Sequence, residues 1–346
     1  MSESLRVVLA ERPKADIIPG QTFKTEKQPV PREEDLKDGE VLVENLYLSL
    51  DPAMRGWLND KRSYLPPVQI GETMRGAAVS RILASKSDKA AAGDIIPTYA
   101  GWAEHAILPP AAIQPAAAYP PISHPTDYLS VLGTTGLTAY FGMLRIGEPK
   151  AGETVVVSGA AGATGSVAGQ LAKIRGARVI GIAGSDDKCK WLTDDLGFDV
   201  AINYKDPDFR KKFKEATPNF VDVYFDNVGG AVLEAALDRA KEHARFVICG
   251  AISQYNTSTP AGPRNYTQII TMRIKMQGFI VLDFAKEFPQ ARKELAQWLD
   301  EGKIKRKDTI VQGGLKVAEQ ALVDLYNGIN TGKMIVEIKN PAQAKL

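Results

Sequence analysis

Residues 154–188, TVVVSGAAGATGSVAGQLAKIRGARVIGIAGSDDK, decide how the rest of this 346-residue sequence reads. An apolar run ends at Ser158 and a turn of small residues follows through Gly165. A helix with one apolar face then occupies residues 167–175, and residues 178–182 form a second apolar run. The glycines let a backbone approach a pyrophosphate closely, and the start of the helix offers unbonded N–H groups and a partial positive charge. Set between two strands in a unit of roughly 30 residues, the turn predicts a dinucleotide site.

The end of the second strand selects between the two nicotinamide dinucleotides. An acidic residue there would bind a ribose 2′-hydroxyl, whereas a cation would accept a 2′-phosphate. Gly184 stands where the acid is expected, and Ser185 and Lys188 supply phosphate-binding groups. Asp186 and Asp187 read as the first turn of a helix capped by Ser185, where their charge suits the helix dipole. The expected cofactor is therefore NADPH.

Outward from this unit, strand-like and helical runs alternate through about residue 281, as in a parallel, doubly wound sheet. Before residue 125 the pattern differs. Short β-type runs at residues 6–10, 40–49, 76–83, 94–98 and 104–108, divided by proline and glycine, predict a β-barrel-like unit. After residue 288 come a helix, a short strand, a second amphipathic helix at 317–326 and a last strand at 334–338.

Composition narrows the function classes. The 43 basic and 41 acidic residues nearly cancel, to a net charge of +2, and form no block of like charge, which argues against a nucleic-acid or anionic-membrane partner. No basic head with an apolar run opens the sequence and no stretch of about 18 apolar residues occurs, so a cytoplasmic protein is expected. Two cysteines, Cys189 and Cys249, are too few for a disulfide framework and read as reduced thiols.

Several motifs, taken together and in order, carry a resemblance over nearly the whole length. They are LSLDPAMRGW (48–57), GTTGLTAYFG (133–142), the AAGATGS loop, AGSDDK, NYK (203–205), FDNVGG (225–230), CGAISQYN (249–256) and NTGK (330–333). With these the chain resembles the zinc-independent medium-chain dehydrogenases/reductases, within them the leukotriene 12-hydroxydehydrogenase, prostaglandin reductase and alkenal double-bond reductase group. The resemblance implies a Rossmann-type doubly wound parallel sheet inserted in a GroES-like β-barrel domain. The boundaries it suggests are a GroES-like substrate domain at 1–129, a Rossmann NADP-binding domain at 130–300 and a return to the first domain at 301–346. It further implies that Tyr204 packs near the adenosine ribose, that Asn227 contacts the nicotinamide half, and that Cys249, Gly250, Ala251, Ile252, Ser253 and Tyr255 line the nicotinamide pocket with Phe279, Ile280 and Val281. Asn330 would reach the cofactor from the returning tail. A homodimer, joined sheet edge to sheet edge, is implied in the same way.

Zinc alcohol dehydrogenases of this superfamily need cysteine and histidine ligands to polarise an oxygen. Here Gly71-Glu72-Thr73-Met74-Arg75-Gly76 replaces their GHE motif, and His105, His124 and His243 lack ligand-like spacing. No metal is expected. Hydride transfer without a metal requires an acceptor that is already electrophilic, such as a double bond conjugated to a carbonyl, with donors for the enolate oxygen that develops. Tyr255 is the candidate catalytic group, as proton donor or orienter, with Tyr64 and Tyr266 as candidates for the substrate wall. Arg55 could face the cleft or serve a structural role. The resulting expectation is NADPH-dependent reduction of α,β-unsaturated aldehydes or ketones. The alternatives are a quinone oxidoreductase, a pathway-dedicated enoyl reductase and a non-catalytic cofactor-binding protein.

Overall fold

The computed structural model describes residues 3–115 and 118–340. They fall into two compact units, one comprising Met1–Leu129 with Asp308–Leu346 and the other Ser130–Lys307. The chain enters the first unit through β1 (Glu3–Leu9) and β2 (Phe23–Pro29), which pair antiparallel. β3 (Val41–Ser49) is buried along its full length because it is central to a six-stranded sheet. A short helix α1 (Met54–Trp57) leads on to β4 (Ala78–Ser85), β5 (Ile95–Thr98) and β6 (His105–Leu108).

The second unit opens with α2 (Thr134–Phe141), extended by a π-helical segment Gly142–Gly147. It continues as β7 (Thr154–Ser158), α3 (Ala163–Ile174), β8 (Arg178–Ala183), α4 (Asp186–Asp194), β9 (Val200–Asn203) and α5 (Phe209–Ala216). Then follow β10 (Val221–Asp226), α6 (Gly230–Asp238), β11 (Ala240–Ile248), α7 (Gln268–Thr271), β12 (Lys275–Gly278) and α8 (Phe288–Asp300). All six strands run parallel, in the order β12-β11-β10-β7-β8-β9. The chain winds outward from β7 to β9 and then restarts beside β7 with β10, which is the Rossmann order. Its switch point, where ligands bind in such sheets, lies at the C-terminal ends of β7 and β10.

Returning to the first unit, the chain forms β13 (Asp308–Val311), α9 (Ala318–Tyr326) and β14 (Lys333–Glu337). β14 pairs antiparallel with β3, opposing Val336 to Leu48, and parallel with β13. Leu322 and Leu325 of α9 bury into the same core as Met54, Trp102 and Met334, and Trp102 stacks on Phe23 with ring centroids 5.2 Å apart.

The strand β2 has no counterpart in the sequence reading. Its residues FKTEKQP have one buried apolar side chain, Phe23, and mostly exposed polar ones, so no apolar alternation marks it. Its pairing with β1 is what makes it a strand. The last strand of the alternation, read as reaching about residue 281, ends at Gly278, and the chain turns into a 3-10 helix from Val281.

Candidate active site

β7 delivers a fully buried Ser158 to the switch point. Gly159 then takes φ +56°, a left-handed conformation that a side chain disfavours. Gly162, in extended conformation, caps α3, which has no side-chain cap. Gly165, in the first turn of α3, lies so close to the strand end that a Cβ there would be 2.4 Å from the Gly159 carbonyl oxygen and 2.8 Å from Ala160 Cα. Only glycine fits this start, and it leaves the first-turn N–H groups open to an anion. This is a cradle fitted to a pyrophosphate.

At the end of β8, a Cβ on Gly184 would sit 3.1 Å from the Tyr204 ring, so the aromatic lies against bare backbone. Tyr204 itself is held by its N–H to the Ala183 carbonyl, 2.9 Å. Ser185 caps α4, its Oγ accepting from the Lys188 N–H. Asp186 accepts from the Asn203 side chain at 2.9 Å, which occupies the acid nearest this position. Burial lowers the Lys188 pKa, and the neighbouring Lys205 lowers it further. Two ammonium groups that repel each other beside a half-exposed ring form a site that an anion stabilises, as a 2′-phosphate would.

The other half of the switch point is built on Asp226. Its carbonyl accepts from the N–H groups of Cys249 (2.9 Å) and Gly250 (3.0 Å). Ile252 and Ser253 then donate to the carbonyls of Asn227 and Val228. The segment from Cys249 to Ser253 is thereby fastened along the turn that follows β10. The Asn227 side-chain amide donates to the Ser158 carbonyl at 2.7 Å, linking that turn to the glycine loop. Tyr255 closes the arrangement, its hydroxyl oxygen accepting from the Ala251 N–H at 3.0 Å. A Cβ on Gly250 would stand 2.9 Å from that oxygen and touch no other atom closer than 3.5 Å. Gly250→Ala is accordingly expected to displace the phenol with the backbone left in place, lowering kcat about tenfold with little change in NADPH affinity; steady-state kinetics and fluorescence titration read the two separately.

Phe279 directs its ring to Gly142, beside Phe225, Ile280 is half-buried and Val281 is buried. Tyr266 is exposed. Its neighbours Arg264 and Asn265 are anchored on Glu234 and Asp238 of α6, and the α7 helix after it leads to the start of β12, whereas Tyr255 stands beyond the ends of β10 and β11. In the first unit, the Tyr64 hydroxyl accepts from Trp57 Nε1 at 3.0 Å. Asn330 is buried and donates to the Gly332 carbonyl at 2.7 Å. The buried Arg55 guanidinium donates to the carbonyls of Pro13 and Ala15 and to Asn59, which is a structural arrangement. Ser158, Tyr224, Asp226 and Trp57 also take part, although none of them was read as a site residue: Asp226 and Trp57 lie inside the motifs FDNVGG and LSLDPAMRGW, and Ser158 ends the first apolar run.

Neither cysteine is poised as a nucleophile: burial pushes the Cys249 thiol up to about 12 and that of Cys189 up to about 11. His105 is engaged with Ser4 at 3.0 Å and with Glu44 at 3.6 Å. Among the described residues no three His, Cys, Asp or Glu side chains gather as a metal set. These side chains do not fit a catalytic zinc.

Two family models match, the N-terminal domain of oxidoreductase over residues 6–116 and zinc-binding dehydrogenase over residues 163–297. The chain is 43% identical to the putative NADP-dependent oxidoreductase YfmJ of Bacillus subtilis (strain 168), across 97% of this chain and 98% of that one. It belongs to the zinc-independent medium-chain dehydrogenases/reductases. Another member of this group, the NADPH-dependent curcumin reductase of Escherichia coli (strain K12), is 38% identical over 96% of each chain. The solved structure of the group member CurA from Vibrio vulnificus in complex with NADPH superposes with a TM-score of 0.88, at 40% identity, covering 97% of this chain and 100% of that one. Like its relatives in the group, this chain is an NADPH-dependent reductase with the group's α/β fold. Among the described residues no helix is long and apolar enough to cross a membrane.

Proposed function

We propose that the chain reduces the carbon–carbon double bond of α,β-unsaturated aldehydes or ketones in the cytoplasm. Its Ser130–Lys307 unit holds NADPH. The observation that carries this reading is the Tyr255 hydroxyl, fixed by the Ala251 N–H at the end of the segment fastened to Asp226–Val228. NADPH, when bound there, would supply a hydride for the β-carbon of the substrate, and the α-carbon would take its proton from water or a phenol. Gly162, Ala163, Thr164 and Gly165 hold the pyrophosphate through backbone N–H groups, Ser185 and Lys188 hold the 2′-phosphate, and Tyr204 packs beside it. Asn227, with residues 249–253 and 279–281, shapes the nicotinamide pocket. As the substrate carbonyl becomes an enolate, the Tyr255 hydroxyl donates to its oxygen, a group whose charge grows only in the transition state. Tyr64, oriented by Trp57, supports the substrate. The curcumin reductase relative agrees with an extended conjugated acceptor. Tyr266 is a further candidate for the substrate wall.

The exposed side of the edge strand β12, with Ile270 73% exposed nearby, supports a homodimer joined along that edge. Light scattering should give twice the chain mass, and a monomer at micromolar concentration would remove this part of the reading.

NADPH oxidation, followed by absorbance against enals, enones, a quinone and a saturated aldehyde, tests the reaction class. Turnover of the conjugated carbonyl compounds, preferring NADPH to NADH and indifferent to a chelator, is the expected result. Turnover of the quinone alone would overturn the reading.

A further inference from the structure

Asp226 is 1% exposed and has no use in the reaction as derived so far. One of its oxygens, Oδ1, accepts four hydrogen bonds: from Ser158 Oγ at 2.8 Å, Tyr224 Oη at 2.9 Å, and the N–H groups of Val228 and Gly229 at 3.0 Å each. The other, Oδ2, is buried and has no hydrogen-bond partner. No ion pair engages the carboxylate among the described residues.

This is a costly arrangement. Buried carboxylates are normally paired, and an orphaned buried oxygen carries its full desolvation penalty. Burial does push the Asp226 pKa upward, and the four donors oppose it. An asparagine could receive the same four bonds without a charge, so the hydrogen-bond pattern alone does not require an acid here. A group that costs stability and has no structural necessity points to a function of the charge itself.

The position suggests which one. The Asp226 main chain anchors Cys249 and Gly250, and Gly250 borders the Tyr255 hydroxyl. The Cys249 thiol is close enough that the Asp226 charge adds to the burial that raises its pKa. When the cofactor is bound, its nicotinamide is cationic in the oxidised form and neutral in the reduced form. A fixed negative charge in a low-dielectric interior discriminates between those two states.

We propose that Asp226 holds a buried negative charge at the nicotinamide end of the cofactor site, and that this charge favours the oxidised, cationic nicotinamide over the reduced, neutral one. The bound reduced cofactor thereby becomes a stronger hydride donor than it is in water. This rests on the reading that Asn227 and residues 249–255 surround the nicotinamide.

The test is a pair of dissociation constants, for NADP+ and for NADPH, measured by calorimetry on the full chain without substrate. In Asp226→Asn the ratio Kd(NADP+)/Kd(NADPH) is expected to rise about tenfold, as removal of one partly screened charge at an effective dielectric of about 20 implies. Tyr224→Phe removes a donor from the same network and keeps the charge, so its ratio should stay within about twofold of the wild type. A ratio unchanged in a folded Asp226→Asn, or shifted equally in Tyr224→Phe, overturns the proposal. Asn227→Ala separates the underlying reading: it should weaken both forms, and if both constants stay at wild-type values the nicotinamide lies elsewhere. Should Asp226→Asn fail to fold, the wild type decides, since NADP+ is expected to bind at least as tightly as NADPH and a tenfold or greater preference for NADPH would contradict the charge.

Discussion

Replacing Lys188 by glutamate is expected to raise the Kd for NADPH about a hundredfold and to leave that for NADH within about twofold. Lys188 projects from the first turns of α4 and is half-buried next to Lys205, so its pKa is lowered by burial and by that neighbouring cation. Asp186, two residues before it, is bonded to the Asn203 amide. A 2′-phosphate relieves the repulsion and gains charge-assisted hydrogen bonds of roughly 1.5–3 kcal/mol each. The glutamate removes one such bond and adds repulsion, which together amount to about 3 kcal/mol. NADH presents only a hydroxyl there, and a carboxylate can accept from it. Fluorescence titration with both cofactors is the measurement, and the NADPH loss should shrink with added salt, as partly exposed charges are screened over about 10 Å at 0.1 M. Equal losses for both cofactors would mean that Lys188 serves the packing of α4 and not phosphate recognition.

The difference between these groups and Asp226 shows what could be read before the structure. Gly159, Gly162, Gly165, Gly184, Ser185 and Lys188 lie on one continuous strand–turn–helix–strand unit and its following helix, so their spacing is visible in the sequence, whereas the approach of Tyr204 to Gly184 and of Lys205 to Lys188 appears only in the fold. Ser185 was expected to cap a helix, and its Oγ accepts from Lys188 N as such a cap does. The Rossmann alternation was legible for the same reason: buried strands β7 and β10 are apolar runs whatever their partners. β2 was not legible, because one apolar residue in seven carries no period and its pairing with β1 lies 20 residues back at Arg6 and Glu26. Asp226 was hidden for a three-dimensional reason. Within FDNVGG an aspartate before a glycine turn looks like ordinary turn chemistry. Its Ser158 donor exists only because β7 lies alongside the end of β10, where it joins the local donors Tyr224, Val228 and Gly229 on a buried carboxylate. The pairing of Trp57 with Tyr64 is similarly a property of a folded loop, seven residues apart, with no periodicity to announce it.

Tyr255→Phe is expected to lower kcat about a hundredfold, within the range found when a single oxyanion donor or general acid is removed. The wild-type hydroxyl oxygen accepts the Ala251 N–H at 3.0 Å, so the substitution also leaves that backbone donor without its side-chain acceptor. Two roles must therefore be told apart. If the hydroxyl serves chiefly to hold the segment fastened to Asp226–Val228, its loss loosens the nicotinamide pocket. The Kd for NADPH then rises in step with the fall in kcat, and the melting temperature drops as well. If it acts on the enolate oxygen, the loss appears in kcat and kcat/KM together, because that interaction is formed only in the transition state, and NADPH affinity stays near the wild-type value. The Gly250→Ala variant, which keeps the hydroxyl but moves it, should lie between wild type and Tyr255→Phe in kcat. A Tyr255→Phe enzyme that reduces a simple enone within threefold of the wild-type rate would remove Tyr255 from the chemistry, and the enolate would then have to be stabilised by backbone N–H groups or water.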